Sequence, residues 1–179
     1  MFKWRVVANL TKDLGYTASS LGNHEFDDGD LDLERFTQLV PYPMLACNLD
    51  LSQQPILRDL IKPSITHEIS YNGIKHVVGI IGYVTPDTKD LSNAGKNVVF
   101  LDEIPALQAE VQKMKSQGIN IIIALGHSGY KQDLDIAKKV RLFQNISLCY
   151  QNTSIICRFL LHTMHNEIEC NVLIIRLKV

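Results

Sequence analysis

The sequence lacks the features that mark several large classes of protein. No apolar run approaches the roughly 18 residues of a membrane span, and residues 1–10 contain neither an uninterrupted apolar segment nor a small-residue cleavage site. The formal net charge is only -1, and the basic residues do not cluster with aromatic side chains between them. The four cysteines form no CxxC pair, so they indicate neither a zinc site nor a disulfide framework. We therefore expect no membrane span, no signal peptide and no nucleic acid polymer as a partner.

The remaining composition is that of a globular protein. The chain has 179 residues, 46% of them hydrophobic and 21% charged, which is enough for one domain with a core. Strand and helix patterns alternate, and Asn72-Gly73 is typical of a hairpin turn. The predicted elements are an amphipathic N-terminal helix, strands at 16–21, 43–48, 65–71, 74–84 and 120–125, and helices at 31–40, 104–117 and 130–140, with a polar connection around Pro55 and Pro63. This order predicts the α/β class, as a layered domain with a mixed sheet.

The composition changes after residue 140. Residues 141–179 contain no glycine, proline, alanine or aspartate, and they carry three of the four cysteines. Their pattern predicts no helix or strand. We therefore expect a domain at residues 1–140 and an atypical tail at 141–179 that is unrelated to it. His162 and His165 in this tail have a spacing that could suit a metal, but a solvated or core role is the simpler interpretation.

The first candidate site is the loop between the strand at 16–21 and the next helix, which reads Gly-Asn-His-Glu-Phe-Asp-Asp-Gly from Gly22 to Gly29. Asn23 offers a hard, neutral oxygen to a divalent cation, and His24 can ligate or carry a proton. Asp27 can reach back to one imidazole nitrogen and fix its tautomer. The pattern predicts a His-Asp dyad beside a metal ligand. The alternative is an ordinary turn in which Asp28 or Asp30 caps the helix.

The second candidate site follows the buried strand at 120–125 and reads Gly126-His127-Ser128-Gly129. Because both loops leave strands in the same sense, we expect His24 and His127 to lie along one edge of the sheet. One alternative is a serine hydrolase in which Ser128 is the nucleophile, with His24 as its base and Asp27 to orient that base. The nucleophile-elbow pattern, however, needs glycine where Tyr130 stands.

The two loops together resemble the 5'-nucleotidase/apyrase family of calcineurin-like metallophosphoesterases. The resemblance covers residues 3–140 and includes the segments 78–83, 91–93, 102–107 and 135–140. It implies a metallophosphoesterase-like fold and hydrolysis of phosphate from nucleotides such as AMP, ADP or ATP with two divalent metal ions, zinc or similar. In that family the residues corresponding to Asn23 and His127 bind a metal ion. The residue at His24 stabilises developing charge, and the residue at Asp27 orients it.

The resemblance also predicts what this chain lacks. The family's amino-terminal Asp-x-His pair and bridging Asp would precede residue 1, and no Gly-Gly-His motif follows Val140. We therefore expect an incomplete domain with incompletely bound metal and impaired activity. The alternative is an inactive fragment that binds nucleotide or associates through an exposed sheet edge. The family is mostly extracellular, cell-surface or periplasmic, whereas this sequence shows no signal peptide, which leaves localisation undetermined.

Overall fold

The computed structural model of the protein describes residues 4–71, 73–140, 145–149 and 171–176. The helices are α1 Trp4–Leu10, α2 Asp30–Leu39, α3 Pro55–Leu60, α4 Thr88–Leu91, α5 Glu103–Ser116 and α6 Tyr130–Lys139, with 3-10 turns at Thr11–Asp13 and Asn23–Phe26. The strands are β1 Ser19–Ser20, β2 Met44–Leu45, β3 Leu49–Asp50, β4 Ile61–Lys62, β5 Ser64–Tyr71, β6 Ile74–Val84, β7 Val99–Phe100, β8 Ile121–His127, β9 Asn145–Cys149 and β10 Asn171–Arg176. Helices and strands alternate, which confirms the α/β class.

The described strands form three sheets. The largest has the order β5-β6-β8-β10-β9, in which only the β5–β6 hairpin is antiparallel. A second, parallel sheet has the order β1-β2-β4, and β3 pairs with β7 in a short antiparallel ladder. The predicted mixed sheet with an antiparallel hairpin is thus confirmed. The parallel alignment of β6 and β8 brings the carboxyl ends of both strands to one edge.

Two strands lie in the segment for which the sequence predicts no element. β10 pairs in parallel with β8, and β9 pairs in parallel with β10, so both extend the five-stranded sheet. Glycine and proline commonly mark the turns at strand ends. Because this segment contains neither, the ends of β9 and β10 could not be predicted from the sequence. The boundary at residue 140 and the unrelated origin of the tail stay predictions. His162 and His165 lie outside the described residues.

Two apolar clusters hold the layers together. One joins α1, α2 and the β1-β2-β4 sheet, with Leu33 and Phe36 of α2 packed near Met44. The other joins α5 and α6 to the five-stranded sheet, with Leu107 and Ile122 fully buried. The apolar run of β8 is buried along most of its length, as expected for a central parallel strand.

Two predicted strands are shorter than expected, and two short helices, α3 and α4, were missed. The strand predicted at 16–21 pairs only at Ser19–Ser20, and Tyr16 before it packs edge-on against Tyr42, with 5.3 Å between ring centroids. The strand predicted at 43–48 is confined to Met44–Leu45. The polar connection contains α3, which begins at Pro55. Proline fits the first helical position because that residue has no intrahelical partner for an N–H.

Glycine permits the closest approach between the two larger sheets. A Cβ at Gly82 on β6 would lie closer than 3.0 Å to the Cβ, carbonyl carbon and carbonyl oxygen of Leu45 on β2. Backbone hydrogen bonds join the same region, from Cys47 N to Gly82 O at 2.8 Å and from Gly82 N to Pro63 O at 3.2 Å. The carboxyl ends of β2 and β6 are therefore in direct backbone contact.

Candidate metal centre at two strand-to-helix loops

The first loop turns through a short 3-10 helix that its own sequence stabilises. The Glu25 carboxylate accepts a hydrogen bond from Gly22 N at 2.7 Å, which is the half of a capping box that a glycine at the N-cap position can make. Phe26 is fully buried and packs edge-on against Phe100, with 5.3 Å between ring centroids. This anchor turns His24 and Asp27 towards solvent.

The helix after this loop begins without a side-chain cap. Gly29 occupies the N-cap position at φ 83°, a left-handed conformation that favours glycine. The alternative in which Asp28 or Asp30 caps the helix is therefore wrong. Asp30 is instead the first helical residue, and its carboxylate accepts a hydrogen bond from Gln54 Nε2 at 2.5 Å.

His24 and Asp27 form the expected contact. His24 Nδ1 lies 2.7 Å from Asp27 Oδ2, and 75% of the histidine side chain remains exposed. The hydrogen bond to Asp27 and then the charge of that carboxylate raise the pKa of His24 above its ordinary value. The imidazole is thus held in one orientation, and its protonated form is favoured.

The second loop is fixed by its neighbours in the sheet. His127 is the last residue of β8, and its carbonyl accepts a hydrogen bond from Thr85 N at 3.0 Å. The aromatic ring of Tyr83 lies directly on the α-carbon of Gly126, leaving no space for a Cβ there. The backbone before and after the imidazole is therefore constrained by β6.

The two loops meet at the edge of the sheet. Asn23 Oδ1 and His127 Nε2 are 3.0 Å apart, although 104 residues separate them in the chain. Gly22 leaves room for this contact, because a Cβ there would lie 3.2 Å from His127 Cγ. An amide oxygen and an imidazole nitrogen are both donors for divalent cations, and here they converge from two elements.

Asn23 Oδ1 and His127 Nε2 are of the atom types that bind divalent metal ions. Both residues are half-buried, and His127 Nε2 donates a hydrogen bond to Asn23 Oδ1, so a bound ion would replace the proton between these two atoms. Within the described residues no group of three or more His, Cys, Asp or Glu could hold a metal ion. Asn23 and His127 could therefore supply two donors to one ion, and the His24–Asp27 dyad follows Asn23 directly in sequence.

The serine hydrolase alternative finds no support in this geometry. Among the described residues, the Oγ of Ser128 has no hydrogen-bond partner. The contact of His24 Nδ1 with Asp27 would suit a triad, but no hydrogen bond joins Ser128 Oγ to His24. A serine nucleophile needs a base within hydrogen-bond reach, and no such pair is assembled here.

Known proteins match this part of the chain in both sequence and structure. A 5'-nucleotidase of Mus musculus is 45% identical over 145 residues, which is 79% of this chain and 24% of the mouse protein. The Homo sapiens 5'-nucleotidase is 42% identical over 142 residues, with the same coverage. The crystal structure of a 5'-nucleotidase precursor from Thermus thermophilus matches with a TM-score of 0.67 and 37% identity, covering 75% of this chain and 26% of that one. The chain belongs to the 5'-nucleotidase family.

Further comparisons define the extent of this family membership. The NAD nucleotidase of Haemophilus influenzae matches with a TM-score of 0.68 and 32% identity over 79% of this chain and 27% of its own. A calcineurin-like phosphoesterase of Bacillus subtilis matches with a TM-score of 0.66, 27% identity and coverage of 79% and 47%. No protein-family profile matches the chain. The chain spans about a quarter of the length of the curated 5'-nucleotidases it matches.

Sequence reasoning missed two residues that shape the site of this 5'-nucleotidase-family chain. Glu25 supports the first loop through Gly22, and a glutamate three residues after the N-cap residue is the feature that could have revealed it. Tyr83 packs on Gly126 beneath the second loop. No local pattern could have identified Tyr83, because its partners are distant in sequence. None of the described helices is long and apolar enough to cross a membrane.

Proposed function

We propose that the chain carries part of a metal-dependent site that hydrolyses phosphate from nucleotides. The convergence of Asn23 Oδ1 and His127 Nε2 at 3.0 Å carries the proposal, because it unites the donors of two loops beside the His24–Asp27 dyad. The relatives that are 5'-nucleotidases and an NAD nucleotidase support nucleotides as the substrate class. Because the chain spans about a quarter of those relatives, the activity of the whole protein is part of the proposal.

Each side chain has a defined role in this proposal. Asn23 and His127 would hold a divalent ion, zinc or similar, which supplies Lewis-acid polarisation of phosphoryl oxygens and acidifies bound water. Asp27 holds Nδ1 of His24 and favours its imidazolium form. The exposed Nε2–H of that imidazolium can then donate to a phosphoryl or leaving oxygen as negative charge develops there.

The surface beside the second loop leaves room for a substrate. An open depression of about 510 Å³ adjoins His127 in sequence and is lined by Ser128, Gly129, Tyr130, Lys131, Gln132 and Asp135. It lies at the start of α6, where backbone N–H groups favour anions, and its two charged side chains, Lys131 and Asp135, are of opposite sign. We infer that a phosphorylated compound approaches the two loops from this side.

The proposal is tested by phosphate release from AMP, ADP and ATP with Zn²⁺, Mn²⁺ or Mg²⁺. We expect His24→Ala to lower any turnover by about 10²-fold or more, which is the usual contribution of such a group. His67→Ala is the matched control, because His67 is exposed on β5 and belongs to neither loop. Turnover that survives His24→Ala would refute the assignment of the dyad.

Calorimetry with metal and nucleotide separates this function from its alternative. Metal binding that weakens in Asn23→Ala and His127→Ala, with turnover, supports hydrolysis. Tight binding without turnover supports the nucleotide-binding or association fragment instead. We also infer an extracellular setting, because the relatives include a snake venom 5'-nucleotidase of Naja atra that is 40% identical over 141 residues.

A further inference from the structure

Tyr83 contacts residues next to both loops of the candidate site. Its side chain is fully buried, and its hydroxyl donates a hydrogen bond to Asp133 Oδ1 at 2.9 Å. Its ring covers Gly126, and its backbone carbonyl accepts a hydrogen bond from Ser20 Oγ at 2.8 Å. One residue of β6 is therefore attached to β1, to β8 and to α6.

These attachments lie close to both proposed metal ligands. Ser20 ends β1 and precedes Asn23 by only three residues, across Leu21 and Gly22. On the other side, Gly126 immediately precedes His127, and Asp133 lies in the first turn of α6 after it. Tyr83 thus holds the backbone before the first loop, and the backbone both before and after the second.

The hydroxyl of Tyr83 matters because of where Asp133 lies. Asp133 is only 4% exposed, so its carboxylate depends on hydrogen-bond donors from the protein. Its backbone N–H donates to Gly129 O at 2.9 Å, which makes it part of the first hydrogen-bonded turn of α6. If the phenol donor is lost, the buried carboxylate loses this hydrogen bond inside the protein. The start of α6 then moves, and the loop joining it to β8 moves with it.

We propose that Tyr83 is a positioning residue that sets the distance between Asn23 Oδ1 and His127 Nε2. Its hydroxyl fixes the second loop through Asp133, while its carbonyl fixes β1 through Ser20. The consequence for metal binding rests on the proposed function, since a shared ion is what would sense the distance. Outer partners of this kind typically change metal affinity by 10- to 100-fold when they are removed.

The test compares Tyr83→Phe with Tyr42→Phe in the full chain. Tyr42 is also a buried tyrosine, 7% exposed, but it packs against Tyr16 in the other apolar cluster. Calorimetry with Zn²⁺ gives the affinity, and hydrogen–deuterium exchange of the metal-free protein follows peptides spanning 19–27 and 126–133. For Tyr83→Phe we expect about tenfold weaker zinc binding and faster exchange in the 126–133 peptide, whereas Ser20→Ala, which removes the donor to the Tyr83 carbonyl, should speed exchange in the 19–27 peptide. For Tyr42→Phe we expect neither change at a matched melting temperature.

Two results would overturn the proposal. The first is unchanged zinc affinity in a folded Tyr83→Phe protein, and the second is an equal loss in Tyr42→Phe. If zinc binding by the wild-type protein does not depend on Asn23 and His127, the proposed function fails. Hydrogen–deuterium exchange of the metal-free protein then tests the positioning role by itself. Unchanged exchange at 126–133 in Tyr83→Phe, or at 19–27 in Ser20→Ala, then overturns the proposal. Should Tyr83→Phe not fold, Ser20→Ala removes the donor to the Tyr83 carbonyl and must loosen 19–27 and weaken zinc binding.

Discussion

Replacing Gly82 by alanine tests the contact between the two larger sheets. The new Cβ would lie closer than 3.0 Å to three atoms of Leu45, and two of these belong to its carbonyl group. Ordinary contact begins near 3.4 Å, so the strands must separate by about 1 Å locally. A backbone carbonyl cannot rotate away as a long side chain can. The strain must therefore be relieved by moving β6 away from β2.

The expected cost follows from what this movement disrupts. Overpacking a closed interface costs about 1–3 kcal/mol. The hydrogen bonds from Cys47 N to Gly82 O and from Gly82 N to Pro63 O would lengthen, and each contributes about 1 kcal/mol. Alanine regains about 0.5–1 kcal/mol because glycine loses more conformational entropy on folding. We therefore expect Gly82→Ala to lower the free energy of unfolding by about 2–4 kcal/mol.

Gly79→Ala is the matched control for this measurement. Gly79 lies three residues earlier on β6, and a Cβ there would also meet one atom closer than 3.0 Å. The nearest atom is the sulfur of Met114, which lies at the end of a flexible side chain that can repack. Urea unfolding should therefore show a loss of less than about 2 kcal/mol for Gly79→Ala. Equal losses in the two variants would refute the argument that an immovable backbone sets the cost.

Three further predictions concern single side chains. In an NMR titration of the metal-free protein, the pKa of His24 should lie above 6.5 and fall towards that value in Asp27→Ala. Because the folded pKa is the higher one, the ion pair should stabilise the fold below about pH 6.5 and lose this effect as pH rises through the folded pKa. Burial raises the pKa of the Cys47 thiol to about 12, so mass spectrometry should find it unalkylated by iodoacetamide at about pH 8 until urea unfolds the chain. Asp102→Ala should lower the free energy of unfolding by about 1 kcal/mol in urea titration, since Asp102 Oδ1 accepts a hydrogen bond from Ile104 N at 2.9 Å, whereas Asp102→Asn should not.

Local patterns predicted the fold where the signal itself was local. The hairpin was expected at 65–71 and 74–84 and occurs at Ser64–Tyr71 and Ile74–Val84, because the Asn-Gly dipeptide favours one turn. The helix expected at 104–117 occurs at Glu103–Ser116. Proline at position 55 misled the prediction, since it was interpreted as a feature of a connection rather than as the first residue of α3.

The site was predictable only where its contacts join residues close in sequence. The contact between His24 and Asp27 spans three residues, and their spacing predicted it. The approach of His127 to Asn23 depends on the parallel order of the strands, which the alternation of elements indicated. The Tyr83–Asp133 hydrogen bond spans 50 residues and depends on the exact register of β6 with β8. No sequence pattern specifies that register, so this contact needed the structure.

The two contacts of the candidate site should form at different stages of folding. The His24–Asp27 contact closes a loop of three residues within one turn and costs little chain entropy. The contact of Asn23 with His127 closes 104 residues and requires β6 and β8 to be paired in parallel. During refolding, the acid-base pair can therefore form early, whereas the metal-binding pair forms only once the sheet is assembled. Metal capture by Asn23 and His127 would thus report that the slow, long-range steps of folding are complete.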